Sequence, residues 1–257
     1  MKTLFSAMLI LLVNNCFAQN GNFTNMTVQS LNLIDQRPLS TVSTEDLFKG
    51  KQTLYYYNEV YVVKGVKVFG TPFLYHDWSA GTIIGADGKI FTGYQLKYNA
   101  FDQAVLFQQG KDSLEVTDEI KEFTLEIKIH DTVENFHFVN ANQYKKEKSK
   151  FYYEVLSEED AGQLLRYDRK FVSDVDKSMP TLEGQKVFDI EFSYYYYDKN
   201  SKKITRIKAD GTNIESILGK EAIAQSGLLL NDFNLSTEQD LRKFFDEFFA
   251  SRKKKGF

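Results

Sequence analysis

Lys121-Glu122-Phe123-Thr124-Leu125-Glu126-Ile127-Lys128-Ile129 decides the fold class. Apolar and polar residues alternate over nine positions, the period of a strand with one buried face. Phe123, Leu125, Ile127 and Ile129 share one side, and Glu122, Thr124, Glu126 and Lys128 share the other. Phe136 and Phe138 repeat the apolar face on a returning strand. Centring the turn on Asp131-Thr132 places Ile127 opposite Phe136, Leu125 opposite Phe138, and Glu126 opposite His137. A cross-strand pair of that kind brings Cβ atoms to about 4.5–5.5 Å.

The same period runs outward in both directions. From Thr53 to Ile207, runs rich in Tyr, Phe, Val and Ile alternate with Gly, Asp and Asn turns. Asp87-Gly88 suits a two-residue turn that pairs Ala86 with Lys89, Ile84 with Phe91 and Thr82 with Gly93. Asn99 to Asp102 and Gln109 to Asp112 read as further turns. Phe188, Ile190, Phe192, Tyr194 and Tyr196 form another apolar face, with a turn at Asp198 to Ser201. Asp174 to Gln185 reads as a long loop and Tyr144 to Lys150 as a charged one.

After Lys208 the period lengthens. Thr212-Asn213-Ile214-Glu215 has the form of a capping box, and Gly219 can end that helix. A second short helix fits Lys220 to Gln225. Ser236 opens a third, to about Ala250, in which Leu241, Phe244, Phe245, Phe248 and Phe249 make one apolar stripe. Asp240, Lys243, Asp246 and Glu247 lie outside it, so the other side carries both signs of charge. This argues for docking on the protein's own sheet over a membrane surface. The expected fold is therefore mainly β (α+β): an antiparallel meander forming a curled sheet or incomplete barrel, with C-terminal helices docked on it. A two-sheet sandwich is the alternative.

The N-terminus reads as a signal peptide over residues 1–18. Lys2 is followed by the uncharged run Leu4 to Val13, then Cys16-Phe17-Ala18. Ten apolar residues are too few to span a bilayer, which takes about 20. Residues 19–257 then form a single β-rich domain, helical over about 212–250. Such a chain has 31 basic and 35 acidic residues and lacks the only cysteine, Cys16. Thiol catalysis and cysteine-based zinc sites are excluded in it, and so is stabilisation by disulfides. No basic excess points to nucleic acid, and no second apolar run reaches the length of a transmembrane helix. The expected location is periplasmic, outer-surface or extracellular. Asn22, Asn25 and Asn234 match the glycosylation pattern by chance.

Gly70-Thr71-Pro72-Phe73-Leu74, Gly81-Thr82-Ile83, Asp87-Gly88-Lys89, Leu96-Lys97-Tyr98-Asn99, Phe101-Asp102 and Leu106-Phe107 form a series. It resembles a family of uncharacterised exported proteins of gram-negative bacteria. Leu228 to Leu230 and Glu238 to Leu241 are more faintly similar. The resemblance covers about a fifth of the chain. It implies export and a β-rich body, and no activity, cofactor or catalytic residue.

Chemistry-bearing clusters are few. His76-Asp77-Trp78 joins a base to a carboxylate, but neighbours in a strand point to opposite faces. It reads as a loop anchored by Trp78. His130 and His137 would need one shared face to hold a metal, and read as surface residues. Glu158-Glu159-Asp160 reads as a solvated turn, since adjacency does not set the carboxyl spacing of a glycosidase. Asp35, Asp87 and Asp198 show no calcium-loop pattern. Arg252 to Lys255 reads as a solvated tail beyond a helix end. No catalytic, cofactor-binding or metal residue set is assigned, and no cofactor is expected.

Tyr55-Tyr56-Tyr57, Tyr152-Tyr153 and Tyr194-Tyr195-Tyr196-Tyr197 carry the best functional hint. Consecutive tyrosines in a strand put rings on both faces. One set fills the core and the other offers stacking planes and hydroxyls to a partner. The leading expectation is a non-enzymatic envelope or surface protein binding a partner protein or polysaccharide through its sheet. A hydrolase of extracellular polymer and a carrier of an apolar ligand are the alternatives.

Overall fold

The computed structural model describes residues 60–129, 131–145, 149–174, 185–208 and 210–255. The signal-peptide reading, Tyr55 to Tyr57, His130 and most of the loop placed at Asp174 to Gln185 lie outside these residues. The strands are β1 (Val60–Val63), β2 (Val66–Phe69), β3 (Ser79–Gly85), β4 (Ile90–Asn99), β5 (Ala104–Gln109) and β6 (Asp112–Glu115). They continue as β7 (Ile120–Ile129), β8 (Thr132–Asn140), β9 (Tyr152–Glu159), β10 (Gly162–Asp174), β11 (Lys186–Asp198) and β12 (Lys203–Ile207). Three helices follow: α1 (Gly211–Leu218), α2 (Lys220–Ser226) and α3 (Glu238–Lys255).

All twelve strands belong to one sheet, in the order β1-β2-β11-β10-β9-β8-β7-β3-β4-β5-β6, with β12 also on β11. The mainly β class with helices packed on the sheet is as expected. A single sheet leaves no place for the sandwich. The sheet is neither closed nor strongly curled, so it is flatter than the curled or barrel-like form expected. Neighbours are antiparallel except β2 and β11, whose pairing at Lys186–Val68 and Val187–Phe69 is parallel.

The β7–β8 hairpin corrects the expected register. Phe123 faces Phe138, Leu125 faces Phe136, and Glu126 faces Asn135 rather than His137. Ile129 pairs with Thr132, whose hydroxyl donates to the Ile129 carbonyl, so the hairpin turns one residue early. The pairing shifts by two residues, and because the side-chain period is two the apolar face is preserved. The shift stacks Phe123 on Phe138, with centroids 4.7 Å apart and rings 9° from parallel. His137 instead meets Glu122 diagonally across the strands, at 3.1 Å.

The β3–β4 turn is also one residue longer than expected. Ile83, not Ile84, pairs with Phe91. The Gly88 amide donates to the Gly85 carbonyl and the Gly85 amide to the Lys89 carbonyl. Gly88 has φ +82°, the left-handed residue that a three-residue hairpin loop requires. Asp87 accepts from the Lys89 amide and pairs with its ammonium. A bulge beyond Gly81 and Thr82 then restores the outer pairing, Gly81 with Tyr94.

Gly81 sits where β3 is squeezed between β7 and β4. A Cβ there would lie 2.2 Å from the Thr124 carbonyl oxygen and 2.8 Å from Leu96 Cδ1. The first obstacle is backbone and cannot rotate away. Gly81→Ala should therefore destabilise by about 1–3 kcal/mol, the usual cost of overpacking. A lowered thermal midpoint checks this.

The helix starts are displaced from their expected caps. Asp210 caps α1, accepting from the Asn213 amide at 2.6 Å, in place of the Thr212 box. Thr237, one residue beyond Ser236, accepts from the Asp240 amide at the start of α3. The apolar stripe is buried as expected: Leu241, Phe244, Phe245, Phe248 and Phe249 are all 2% exposed or less. It packs with Leu156, Leu164, Tyr196 and Ile207 on one face of β9 to β12. On the same face, the sheet from β3 to β8 carries a second core around Ile83, Leu96, Tyr98, Phe123 and Phe138.

Candidate functional site

Strand alternation places charged residues on the apolar face of two neighbouring strands. Glu154 lies between Tyr152 and Leu156 on β9, both of them core residues. On β10, Arg166 and Asp168 follow Leu164 at the same period. Register sets Glu154, Arg166 and Tyr194 side by side across β9, β10 and β11. Above this row, α3 brings its first residue, Glu238.

Arg166 is the hub. Its Nη1 donates to both oxygens of Glu238 at 2.8 Å, and its Nη2 donates to Glu154 at 2.6 Å. Nε is 2.7 Å from Asp168 Oδ1, and Nη2 also donates to Asp168 Oδ2 at 3.4 Å. Tyr194 donates its hydroxyl to Glu238 at 2.7 Å. The guanidinium also lies 5.0 Å from the centre of the Phe192 ring. Arg166, Glu154, Asp168 and Glu238 are 8% exposed or less.

Burial dominates the acid–base character of this seam. It pushes the Glu154 carboxyl up to about 8, against the opposing pull of Arg166. Asp168 is raised for the same reason. Arg166 is held charged: burial opposes its charge, but three carboxylates outweigh that. Tyr194 and Tyr75 stay protonated, because burial and the nearby carboxylates both disfavour the phenolate. The cluster lies under α3, and its three carboxyl side chains are at most 7% exposed.

The opposite face of β9 to β12 differs. Tyr153 and Leu165 are fully buried there, beneath half-buried Tyr144, Phe151, Tyr167, Tyr195 and Tyr197. The rings form an edge-to-face network. Tyr144 meets Tyr197 at 4.8 Å and Tyr153 at 5.6 Å, while Tyr153 meets Tyr195 at 5.2 Å. Phe151 meets Tyr167 at 4.8 Å. None of the three α-helices contributes a residue to this cluster. Arg206, paired with Tyr195 across β12, donates to the Ser193 hydroxyl at the margin. The consecutive tyrosines thus divide as expected: Tyr194 and Tyr196 face the helices, and Tyr195 and Tyr197 face outward.

The other expected clusters stay apart. His76 and Asp77 sit in a loop outside the strands, as expected, and there Nδ1 and Oδ1 meet at 2.9 Å. Asp77 is 91% exposed at its side chain, so the pair faces solvent. Trp78 borders Lys97, 5.6 Å from its ring. Glu158 pairs with Lys199 and Glu159 with Lys253, and Asp160 is exposed in the turn. Arg252 lies 5.8 Å from the Phe248 ring and belongs to α3, which runs to Lys255. Among the described residues no group of three or more His, Cys, Asp or Glu could hold a metal, and no helix is long and apolar enough to cross a membrane.

Sequence reasoning missed the Arg166 cluster. The available signal was Glu154 on a strand face otherwise filled by Tyr152 and Leu156, and the Arg-x-Asp continuation of the Leu164 face. No family model matches the chain, and comparison with curated proteins and with solved structures finds no similar protein.

Proposed function

We propose that this is an exported, non-enzymatic envelope or surface protein that binds a polymer or partner protein through the tyrosine face of β9 to β12. The observation that carries the reading is that face itself. Its five half-buried aromatic rings stand on a sheet whose other side is covered by helices. Partly exposed tyrosines combine a flat apolar plane with a hydroxyl, which suits stacking on sugars and anchoring in protein interfaces. Strand register fixes the spacing of Tyr167, Tyr195 and Tyr197, so little of their rotamer freedom is lost on binding.

The hydrolase alternative is less well supported. Three carboxyls do converge, but all are bound to Arg166 and lie beneath a helix. Export rests on the sequence of residues 1–18 and on the family resemblance of Gly70 to Phe107.

A photo-crosslinking amino acid placed at Tyr195 in the exported full chain tests the proposal. Adducts with an envelope component should form from position 195 and not from Glu247, on the exposed side of α3. Tyr167→Ala should weaken retention by that component about tenfold or more, the loss typical of an anchoring tyrosine. Absence of adducts at Tyr195, or equal yields from both positions, contradicts the proposal.

A further inference from the structure

The Arg166 seam holds more negative than positive charge. Glu154 comes from β9, Asp168 from β10 and Glu238 from α3, against one guanidinium. Among the described residues these further titratable groups lie around it, together with Tyr98, a buried phenol whose ionisation Asp168 disfavours. Arg242, one turn along α3, adds a positive field at Glu154 from an exposed position. Lys170, the next residue on the Asp168 face, donates its ammonium to the Thr71 carbonyl. Tyr194 of β11 donates to Glu238. Tyr75, from the loop before β3, borders the seam as a neutral phenol. Even with Arg242 counted, among the described residues three carboxylates would face two cations.

Geometry says where the excess charge is removed. Glu154 and Asp168 crowd onto one donor: Arg166 Nη2 lies 2.6 Å from Glu154 Oε2 and 3.4 Å from Asp168 Oδ2. Two ionised carboxylates sharing one buried donor repel each other, so such a pair favours keeping one proton. Glu154 is fixed by the pairing of β9 with β10, opposite Arg166, and Asp168 by the pairing of β10 with β11, opposite Phe192. Glu238 is different. It begins a helix, beside exposed Ser236 and Gln239, and can reach water by fraying one turn.

We propose that the folded protein holds one proton between Glu154 and Asp168 at neutral pH, and that its loss releases Glu238 and the first turn of α3 from the sheet. With the proton bound, the four groups carry one net negative charge. Without it they carry two, in a seam with almost no solvent. The contact that can hydrate gives way.

The raised pKa of Glu154, caused by its burial, agrees in direction. Its folded value, about 8, lies above the ordinary 4.5, so the folded state binds a proton that the unfolded state has released. Stability therefore falls as pH rises through that window, by about tenfold in the folding equilibrium per pH unit for one proton. The loss levels off above about 8, where the folded state has also released it.

The test reads the proton and the helix separately, on the full chain. Infrared spectra in deuterium oxide should show a protonated-carboxyl band at pH 7 that disappears by about pH 9. Amide exchange over Asp240 to Phe244, corrected for intrinsic pH dependence, should lose about tenfold protection over the same range. Glu154→Gln supplies a neutral side chain, so the band should vanish and the helix stay protected at pH 9. If that variant does not fold, the native band and exchange decide alone. No band at pH 7, α3 protection unchanged to pH 9, or an undiminished band in Glu154→Gln would each overturn the proposal.

Discussion

An Arg166→Met chain should be less stable than the native one by about 3–5 kcal/mol, the usual cost of breaking a buried ion pair by removing one partner. Methionine keeps much of the side-chain length, so lost packing is a small part. The loss comes from three carboxyls left without their common donor. That origin has a signature. Lowering the pH protonates the orphaned carboxyls, so the gap between variant and native protein should narrow from pH 7 to pH 4. Urea unfolding at both values checks it. Against a typical total of 5–15 kcal/mol, many such chains would be unfolded at 37 °C.

Phe245→Ala should cost a comparable 3–5 kcal/mol, by a different mechanism. Phe245 is fully buried between Tyr196 at 5.9 Å, Phe244 at 5.5 Å and Phe249 at 5.8 Å. Truncation leaves a cavity among rings held by both a sheet and a helix, which cannot collapse freely. This loss should be nearly independent of pH, in contrast to Arg166→Met. Deletion from Ser236 onward should expose Leu156, Leu164 and Tyr196 together and give an aggregating product. Size-exclusion chromatography and urea melts distinguish these outcomes.

The two substitutions mark what the sequence makes legible. The α3 stripe is local: five apolar residues at helical spacing reveal both the helix and its buried side. The β7 alternation is equally local, and the face it assigns to Phe123, Leu125 and Phe138 survives even though the register is shifted by two. Turn length decides register, and one residue at the Ile129–Thr132 turn is below the resolution of a composition-based reading. The strand order is non-local. Nothing near Ser79 announces that β3 will lie between β4 and β7, or that β2 will run parallel to β11.

The charged seam was illegible for the same reason. Arg166 and Glu238 are 72 residues apart, and Glu238 carries a local pattern that reads as part of a helix start. The tyrosine runs were more readable, because alternation in one strand already divides Tyr194 and Tyr196 from Tyr195 and Tyr197. Which set would be covered by helices depended on the fold.

Hydroxyl-radical footprinting of the full chain, alone and with bacterial envelope material, tests the proposed binding role of the set facing away from the α-helices most directly. Tyr144, Tyr167, Tyr195 and Tyr197 should be oxidised in the free protein, while Tyr98, Tyr153 and Tyr196, at 1%, 1% and 6% exposure, should not. Added envelope material should protect the first group together and leave exposed positions of α3 unchanged. Oxidation of the four tyrosines at the same rate with and without envelope material, or protection confined to α3, would contradict the account.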